Sequence, residues 1–282
     1  MPEGDTIFRA ARTLNRALGG QAVTRFETQF PALARIDYDT PVAGRVVESV
    51  ESSGKWISMH FSGSLILLTH MLMNGSWHIY RTGEAWQRPR HQARVAIYTQ
   101  GFVAVAFQIQ IAEFHTPESL RRHRSVSRLG PDVLAQGFDE KDAVARLAAQ
   151  PGLDIGDALL SQSIIAGLGN VYKSEVCFAA GVNPFRTIGS LSPEELAALV
   201  SHARKFMVGN VAEGAGVRIV TYAGLRRTTG RVDPAERLWV YGRRGEACRR
   251  CRSEIQSRKQ GLDARTTFWC PQCQPAGKEA GS

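Results

Sequence analysis

The stretch Lys55-Trp-Ile-Ser-Met-His-Phe61 decides the fold of the first half of the chain. Ile57, Met59 and Phe61 alternate with other residues, so they share one face of a β-strand that Lys55 begins at its exposed end. Further apolar runs of similar length, divided by glycines, surround this stretch: Val23–Phe26, Val46–Val50, Leu65–Met71, Ser76–Tyr80, Ala93–Tyr98 and Phe102–Phe107. Short runs at this spacing predict an antiparallel sandwich or barrel.

A helix is predicted before these strands. Its apolar face consists of residues at helical spacing, Ile7, Ala11, Leu14 and Leu18. Asp5 or Thr6 is expected to cap the helix, and Gly19-Gly20 is expected to end it. The positive end of the helix then points toward Pro2 and favours a phosphate there.

After Gly130-Pro131 the periodicity becomes helical. Helices are predicted over Asp139–Gln150, Asp154–Ile165 and Val171–Ala180, with a longer one opening at Ser192. Arg218–Arg231 has no identifiable period and is predicted to be a mobile loop, and residues 275–282 are predicted to be a disordered tail. The chain is therefore expected to be α+β, with a domain boundary near residues 131–138.

Composition limits the class of partner. The 282 residues include 43% hydrophobic and 22% charged residues, which suits a soluble protein of two domains. A formal net charge of +9 predicts an anionic partner, nucleic acid ahead of a membrane surface, with a merely basic soluble protein as the alternative. The most apolar run, Ser64–Met73, is far shorter than the ~20 residues of a membrane span, and no signal peptide precedes it, so a cytoplasmic protein is expected.

Four of the five cysteines form two closely spaced pairs, Cys248-x2-Cys251 and Cys270-x2-Cys273, with 18 residues between the pairs. This spacing predicts one structural zinc ion held by four thiolates on a β-hairpin, in preference to a redox pair or free thiols. Cys177 lies on an apolar helical face and is expected to be a buried thiol.

The sequence begins Met1-Pro2-Glu3-Gly4-Asp5. Removal of Met1 would make Pro2 a free secondary amine, partly uncharged near neutral pH and able to attack an aldehyde carbon such as a sugar C1′. Glu3 could then move protons during the attack. The alternative is an ordinary solvated terminus.

Two further segments suggest contact with an anionic polymer. Gly167-Leu-Gly169-Asn170, at a helix junction, could direct the Gly167 and Gly169 amides and the Asn170 side chain at a phosphate, although such glycine turns are routine. Met73 either belongs to the core or forms an apolar wedge that enters a base stack. Cations also lie between the cysteine pairs, at Arg258, Lys259 and Arg265. We expect Arg258 and Lys259 to be solvated.

Taken in order, these motifs resemble the formamidopyrimidine-DNA glycosylase and endonuclease VIII family over almost the whole chain. The segments that carry the resemblance are Pro2–Asp5, Gly54-Lys55, Leu129–Asp132, Gly167–Glu175, Val240–Cys248 and Arg265–Cys273. The resemblance implies an N-terminal β-sandwich with flanking helices (1–131), a helix-two-turns-helix domain (132–236), a zinc-finger hairpin (237–274) and the tail (275–282).

The family resemblance also implies an activity, that of a DNA glycosylase and AP lyase acting as a monomer on damaged double-stranded DNA. Pro2 is then the nucleophile and Glu3 the proton donor and acceptor. Lys55, Asn170 and Arg265 are expected to bind the phosphates that flank the extruded nucleotide.

The start of the chain, and Thr228-Thr229-Gly230 before Trp239, look more similar to the endonuclease VIII branch, which acts on oxidised pyrimidines. Leu72-Met73-Asn74 resembles the wedge of that branch. The alternatives are a glycosylase that prefers 8-oxoguanine or formamidopyrimidines, and a damaged-DNA binder without catalysis. A zinc-ribbon transcription or RNA-binding protein is a weaker alternative, because it leaves Pro2-Glu3 and the sandwich unexplained.

Overall fold

The computed structural model describes residues 2–211, 228–229 and 237–276. Two units meet in sequence between Arg128 and Leu129. The predicted loop Arg218–Arg231 lies outside the described residues except at positions 228 and 229, and so does most of the predicted tail. The domain limits inferred from the sequence remain predictions.

The first unit contains two four-stranded antiparallel sheets. Its strands are β1 (Arg25–Thr28), β2 (Val47–Ser53), β3 (Trp56–Phe61), β4 (Leu65–His70), β5 (Ser76–Arg81), β6 (Ala93–Tyr98), β7 (Phe102–Phe107) and β8 (Ile111–His115). The strand orders are β2-β3-β4-β8 and β1-β6-β7-β5. All the predicted strands are present, and β8 is an additional one.

Helix α1 (Gly4–Leu18) contacts strands of both sheets. The core that it completes joins Ile57 and Met59 of one sheet to Trp77 of the other. The indole Nε1 of Trp77 also donates a hydrogen bond of 3.3 Å to Thr69 Oγ1 on the facing sheet. These contacts define a sandwich, with two shorter helices, α2 (Pro31–Asp39) and α3 (Pro117–Arg121), at its periphery.

The predicted cap of α1 is wrong. The N-cap is Glu3, and Asp5 and Thr6 lie inside the first turn. The Asp5 carboxylate is buried and lies 3.5 Å from the Arg9 guanidinium one turn later. This side chain therefore forms an ion pair within the helix instead of capping its end.

The second unit contains α4 (Glu140–Ala148), α5 (Ile155–Ala158), α6 (Asn170–Ala179), α7 (Pro193–Val211) and a hairpin of β9 (Gln256–Gln260) and β10 (Arg265–Trp269). The helix predicted over Asp154–Ile165 is wrong beyond Ala158. The Gln162 side chain donates to the carbonyls of Leu160 and Leu168 and accepts the N–H of Gly167, so it satisfies backbone groups in place of helical bonds. No described helix is long and apolar enough to cross a bilayer.

Candidate active site and zinc centre

Pro2 and Glu3 lie directly before α1, and both are buried. The Glu3 carbonyl accepts the N–H groups of Thr6 at 2.9 Å and Ile7 at 3.1 Å, which fixes the backbone at the start of the helix. The Glu3 side chain is completely shielded from solvent. A buried carboxyl group is therefore held next to residue 2, the position from which a general acid or base would act on an amine there.

Lys55 occupies a tight turn between β2 and β3. Ser53 pairs with Trp56, so Gly54 and Lys55 alone form the turn. Gly54 has a φ of 59°, and two-residue turns with glycine first match the twist of the flanking strands. The local sequence thus places Lys55 at one end of the β2-β3-β4-β8 sheet.

The loop that carries Met73 leaves the same end of this sheet, because Trp56 at the start of β3 pairs with His70 at the end of β4. His70 Nδ1 accepts the N–H of Leu72 at 3.0 Å and so holds the turn. Burial, and to a smaller extent the charge of Lys55, together lower the pKa of His70 to about 4. His70 is therefore neutral at pH 7 and keeps Nδ1 free to accept, while half of the Met73 surface is exposed at the tip of the loop.

In the second unit, α6 and the hairpin bring Asn170 and Arg265 together. Asn170 Nδ2 donates a 2.8 Å hydrogen bond to the carbonyl of Thr266, the residue after Arg265. An amide nitrogen has two hydrogens, and this bond uses one of them. Asn170 Oδ1 is buried without a hydrogen-bond partner among the described residues. The Arg265 guanidinium lies 3.8 Å from Asp263 and keeps 38% of its side-chain surface exposed.

The glycine turn before α6 is partly occupied by contacts within the protein. Gly167 has a φ of 100°, which favours glycine, and its N–H donates to Gln162 Oε1 at 3.0 Å. Gly169 is the N-cap of α6, and its carbonyl accepts the N–H of Lys173 at 2.8 Å. Phosphate binding by the Gly167 amide, which stays a prediction, would require its bond to Gln162 to be exchanged.

The zinc ligands predicted from the sequence converge. The sulfurs of Cys248, Cys251, Cys270 and Cys273 all lie within 4.8 Å of one another. Cys251 and Cys270 are 3.4 Å apart and Cys248 and Cys273 are 3.9 Å apart, whereas four thiolates about 2.3 Å from one zinc ion lie about 3.8 Å apart. The donor set fits one structural zinc ion. Amides at Arg250 and Cys273 donate to two of the sulfurs and hold the two cysteine turns.

The sequence reasoning missed the role of Glu175. Its buried carboxylate accepts four hydrogen bonds, from Thr228 Oγ1 and the N–H of Trp239 on one oxygen, and from the N–H groups of Val240 and Tyr241 on the other. Burial raises the pKa of Glu175, and these four bonds oppose that rise because they favour the carboxylate. The signal in the sequence was a glutamate directly before the apolar run of residues 176–180.

A second buried charge on α6 was also missed. Lys173 is fully buried and its Nζ donates to Thr267 Oγ1 on β10 at 2.6 Å. Thr267 donates in turn to Gln260 Oε1 on β9 at 2.8 Å. Helix α6 is thereby joined to both strands of the hairpin that carries Arg265.

Three protein-family models match the chain. The formamidopyrimidine-DNA glycosylase N-terminal domain matches residues 1–114, and the formamidopyrimidine-DNA glycosylase H2TH domain matches residues 129–221. The zinc finger found in FPG and IleRS matches residues 245–276. Together the matches account for most of both units.

The chain is also similar to other proteins over nearly its full length. The probable endonuclease 8 2 of Streptomyces coelicolor is 36% identical, over 100% of this chain and 97% of that protein. The DNA-(apurinic or apyrimidinic site) lyase Nei2 of Mycolicibacterium smegmatis is 36% identical, over 98% and 100%. The solved structure of Lactococcus lactis Fpg (MutM) with DNA containing N7-benzyl-Fapy-dG has a TM-score of 0.80 at 21% identity, over 98% of this chain and 100% of that chain, and shares the fold.

Replacement of Cys270 by serine should release zinc, because a closed four-thiolate site needs all four ligands. We expect metal analysis to show the loss of one zinc ion per chain and binding to damaged duplex to be lost, while the sandwich of the first unit stays folded by circular dichroism. The matched control is Cys177→Ala, which removes a buried cysteine outside the cluster. Unchanged zinc content in Cys270→Ser would refute the site.

Replacement of Glu175 by glutamine should destabilise the second unit. The amide keeps one acceptor and turns an NH2 group toward N–H donors, so we expect a loss of more than about 2 kcal/mol in the free energy of unfolding. Urea unfolding followed by tryptophan fluorescence measures the change. Glu254→Gln, at an exposed position of the same unit, should stay within about 0.5 kcal/mol of the parent. Equal stability of the two variants would contradict the role assigned to Glu175.

Proposed function

This chain belongs to the formamidopyrimidine-DNA glycosylase and endonuclease VIII family, and we propose that it is a DNA glycosylase and AP lyase of base excision repair. The observation that carries the proposal is the placement of a fully buried Glu3 at the N-cap of α1, next to Pro2. A protein that only binds damaged DNA has no use for a carboxyl group in that position.

The proposed reaction starts at Pro2. Once Met1 is removed, the secondary amine attacks C1′ of the damaged nucleotide, the base departs, and the amine nitrogen and C1′ form an iminium. The iminium forms as the C1′–O4′ bond breaks: Glu3 gives a proton to O4′, and its carboxylate then takes up a proton released in the reaction, such as the one lost by the amine. The iminium is an electron sink, so a proton lost from C2′ eliminates the 3′ phosphate, and a second elimination releases the 5′ phosphate. The lesion must leave the base stack before the attack, because C1′ cannot be reached inside the duplex.

The proposed DNA contacts divide between the two units. Lys55 lies at the same end of its sheet as the Met73 loop, so one unit would supply both a phosphate contact and an apolar wedge. In the other unit, Asn170 and Arg265 would bind phosphate. Asn170 is hydrogen-bonded to the carbonyl of Thr266, the residue after Arg265. Gly167 and Gly169 form the turn that presents Asn170. The net charge of +9 supports this anionic partner.

We infer oxidised pyrimidines as the main substrates, since relatives over the full length are named endonuclease 8. The enzyme would act as a monomer in the cytoplasm.

The proposal is tested by borohydride trapping on duplexes that contain thymine glycol, 5,6-dihydrouracil, 8-oxoguanine or an abasic site. A covalent adduct at Pro2 is expected, and the order of reactivity identifies the lesion class. Absence of any adduct, with Met1 removed and zinc bound, would favour a binder without catalysis.

Replacement of Glu3 by glutamine should leave binding to damaged duplex intact and lower base excision by about a hundredfold or more, because one general acid–base group typically contributes 10²–10⁴. Single-turnover excision and gel-shift binding measure the two effects. Glu48→Gln, at an exposed position on β2, is the control and should excise normally. Normal excision by Glu3→Gln would remove Glu3 from the mechanism.

Charge reversal at Arg265 should weaken DNA binding and flatten its dependence on salt, because each lost phosphate contact lowers the slope of log K against log salt by about one. Lys259→Glu makes the same charge change on the same hairpin. Lys259 pairs with Thr266 and Arg265 pairs with Gln260, so Lys259 and Arg265 lie on opposite faces. We expect the Lys259 variant to retain the parental slope. Equal slopes in both variants would assign Arg265 to the solvated surface.

A further inference from the structure

Apart from the four cysteines, one other group of metal-ligating side chains converges in the part of the chain that the structure describes: Glu113, His115 and His123. One ligand atom from each lies within 4.8 Å of the other two. Glu113 and His115 alternate on β8 and so share a face, and His123 follows α3. We propose that these three side chains bind a divalent transition-metal ion, separate from the zinc of the hairpin and beyond the proposed repair activity.

The distances support a coordination site. The Nε2 atoms of His115 and His123 lie 3.1 Å and 3.3 Å from the same carboxylate oxygen of Glu113. Ligands bound tetrahedrally at about 2.0–2.1 Å lie about 3.3 Å apart. Each of the two nitrogens therefore already has the separation from the carboxylate oxygen that neighbouring ligands have, and the two nitrogens lie within 4.8 Å of each other. Two imidazoles and one carboxylate suit Zn²⁺, Co²⁺ or Ni²⁺, whereas Mg²⁺ and Ca²⁺ prefer oxygen ligands alone.

The two imidazoles are held by their surroundings. His115 Nδ1 contacts Ser119 Oγ at 3.2 Å, and Ser119 is itself fixed by the capping box that opens α3. A metal-bound histidine ordinarily bonds through its other ring nitrogen in this way. The His123 ring packs edge-on against Trp56, with centroids 5.2 Å apart, and against His115, with centroids 5.3 Å apart. Little side-chain entropy remains to be lost when a metal ion binds.

Metal binding must change one hydrogen bond. His123 Nδ1 accepts the N–H of Val126 at 3.3 Å, so the neutral ring carries its proton on Nε2, next to Glu113. Coordination through Nε2 requires the other neutral tautomer, in which the proton lost from Nε2 is replaced by one on Nδ1, so the ring can no longer accept from Val126 and this bond, already at the long end of the range, breaks. The Val126 amide is therefore a specific reporter for the site.

The site is open on one side. The Glu113 side chain is 46% exposed, while His115 and His123 are 14% and 15% exposed. Solvent can deliver the ion and fill the remaining coordination position. Because the ligands lie on β8 and after α3, the bound ion would close the segment between them and stabilise the first unit in proportion to the logarithm of metal concentration.

The test uses the full chain without a histidine tag and with zinc already bound at the cysteines. Titration with Co²⁺ should bind one further equivalent, with a visible spectrum that lacks thiolate-to-cobalt charge transfer. Titration with Zn²⁺ should shift the Val126 amide resonance. His115→Gln and Glu113→Gln should each weaken binding of this equivalent about tenfold or more, since even outer partners of metal ligands contribute 10–100-fold.

Two controls separate this site from others. His91→Gln, which changes an exposed histidine of the same unit, should bind the additional cobalt normally. Cys270→Ser should lose the hairpin zinc and keep the additional site. The melting temperature without added metal checks that each variant is folded. Absence of a further equivalent in the parent chain, or binding by the His115→Gln and Glu113→Gln variants as tight as by the parent, would overturn the proposal.

Discussion

The interaction on which the second unit depends is the buried carboxylate of Glu175 with its four hydrogen-bond donors. Three of these donors are consecutive backbone amides of residues 239–241, so one side chain fixes the chain just before the first zinc ligand. A buried carboxylate is costly unless its lone pairs are satisfied. That condition couples helix α6 to the zinc-binding segment. The zinc cysteines then pack against Phe178, one turn further along the same helix.

The two units hold their candidate DNA contacts by different means. In the first unit, short turns position Lys55 and Met73, and a neutral histidine, His70, stabilises the second of these turns. In the second unit, Asn170 and Arg265 depend on contacts between elements far apart in sequence, through Thr266. Local sequence is sufficient for the first arrangement. The second exists only when helix and hairpin have packed together.

This difference explains which features could be predicted from the sequence. The strands and the four zinc ligands have local signals, namely alternation and cysteine spacing. Lys55 was predicted to begin a strand, but it lies in the turn before β3, which begins at Trp56. Strand β8 was missed. The end of α5 was also missed, because the Gln162 side chain satisfies backbone groups of a neighbouring turn in place of further helical hydrogen bonds. The roles of Lys173 and Glu175 were also missed, since charged residues on a helix usually face solvent and their partners lie more than fifty residues away.

The buried charges on α6 also constrain the order in which the chain can mature during synthesis. Lys173 and Glu175 emerge from the ribosome well before their hydrogen-bond partners. Glu175 accepts from the amides of residues 239–241, and Lys173 donates to Thr267. Until residues 239–241 and the hairpin are translated, the apolar faces around α6 cannot close without desolvating unpaired charges. The helical unit must therefore wait for its last-made segment, whereas the sandwich can fold on the nascent chain, and a cell short of zinc would hold the second unit in an incomplete, protease-sensitive state.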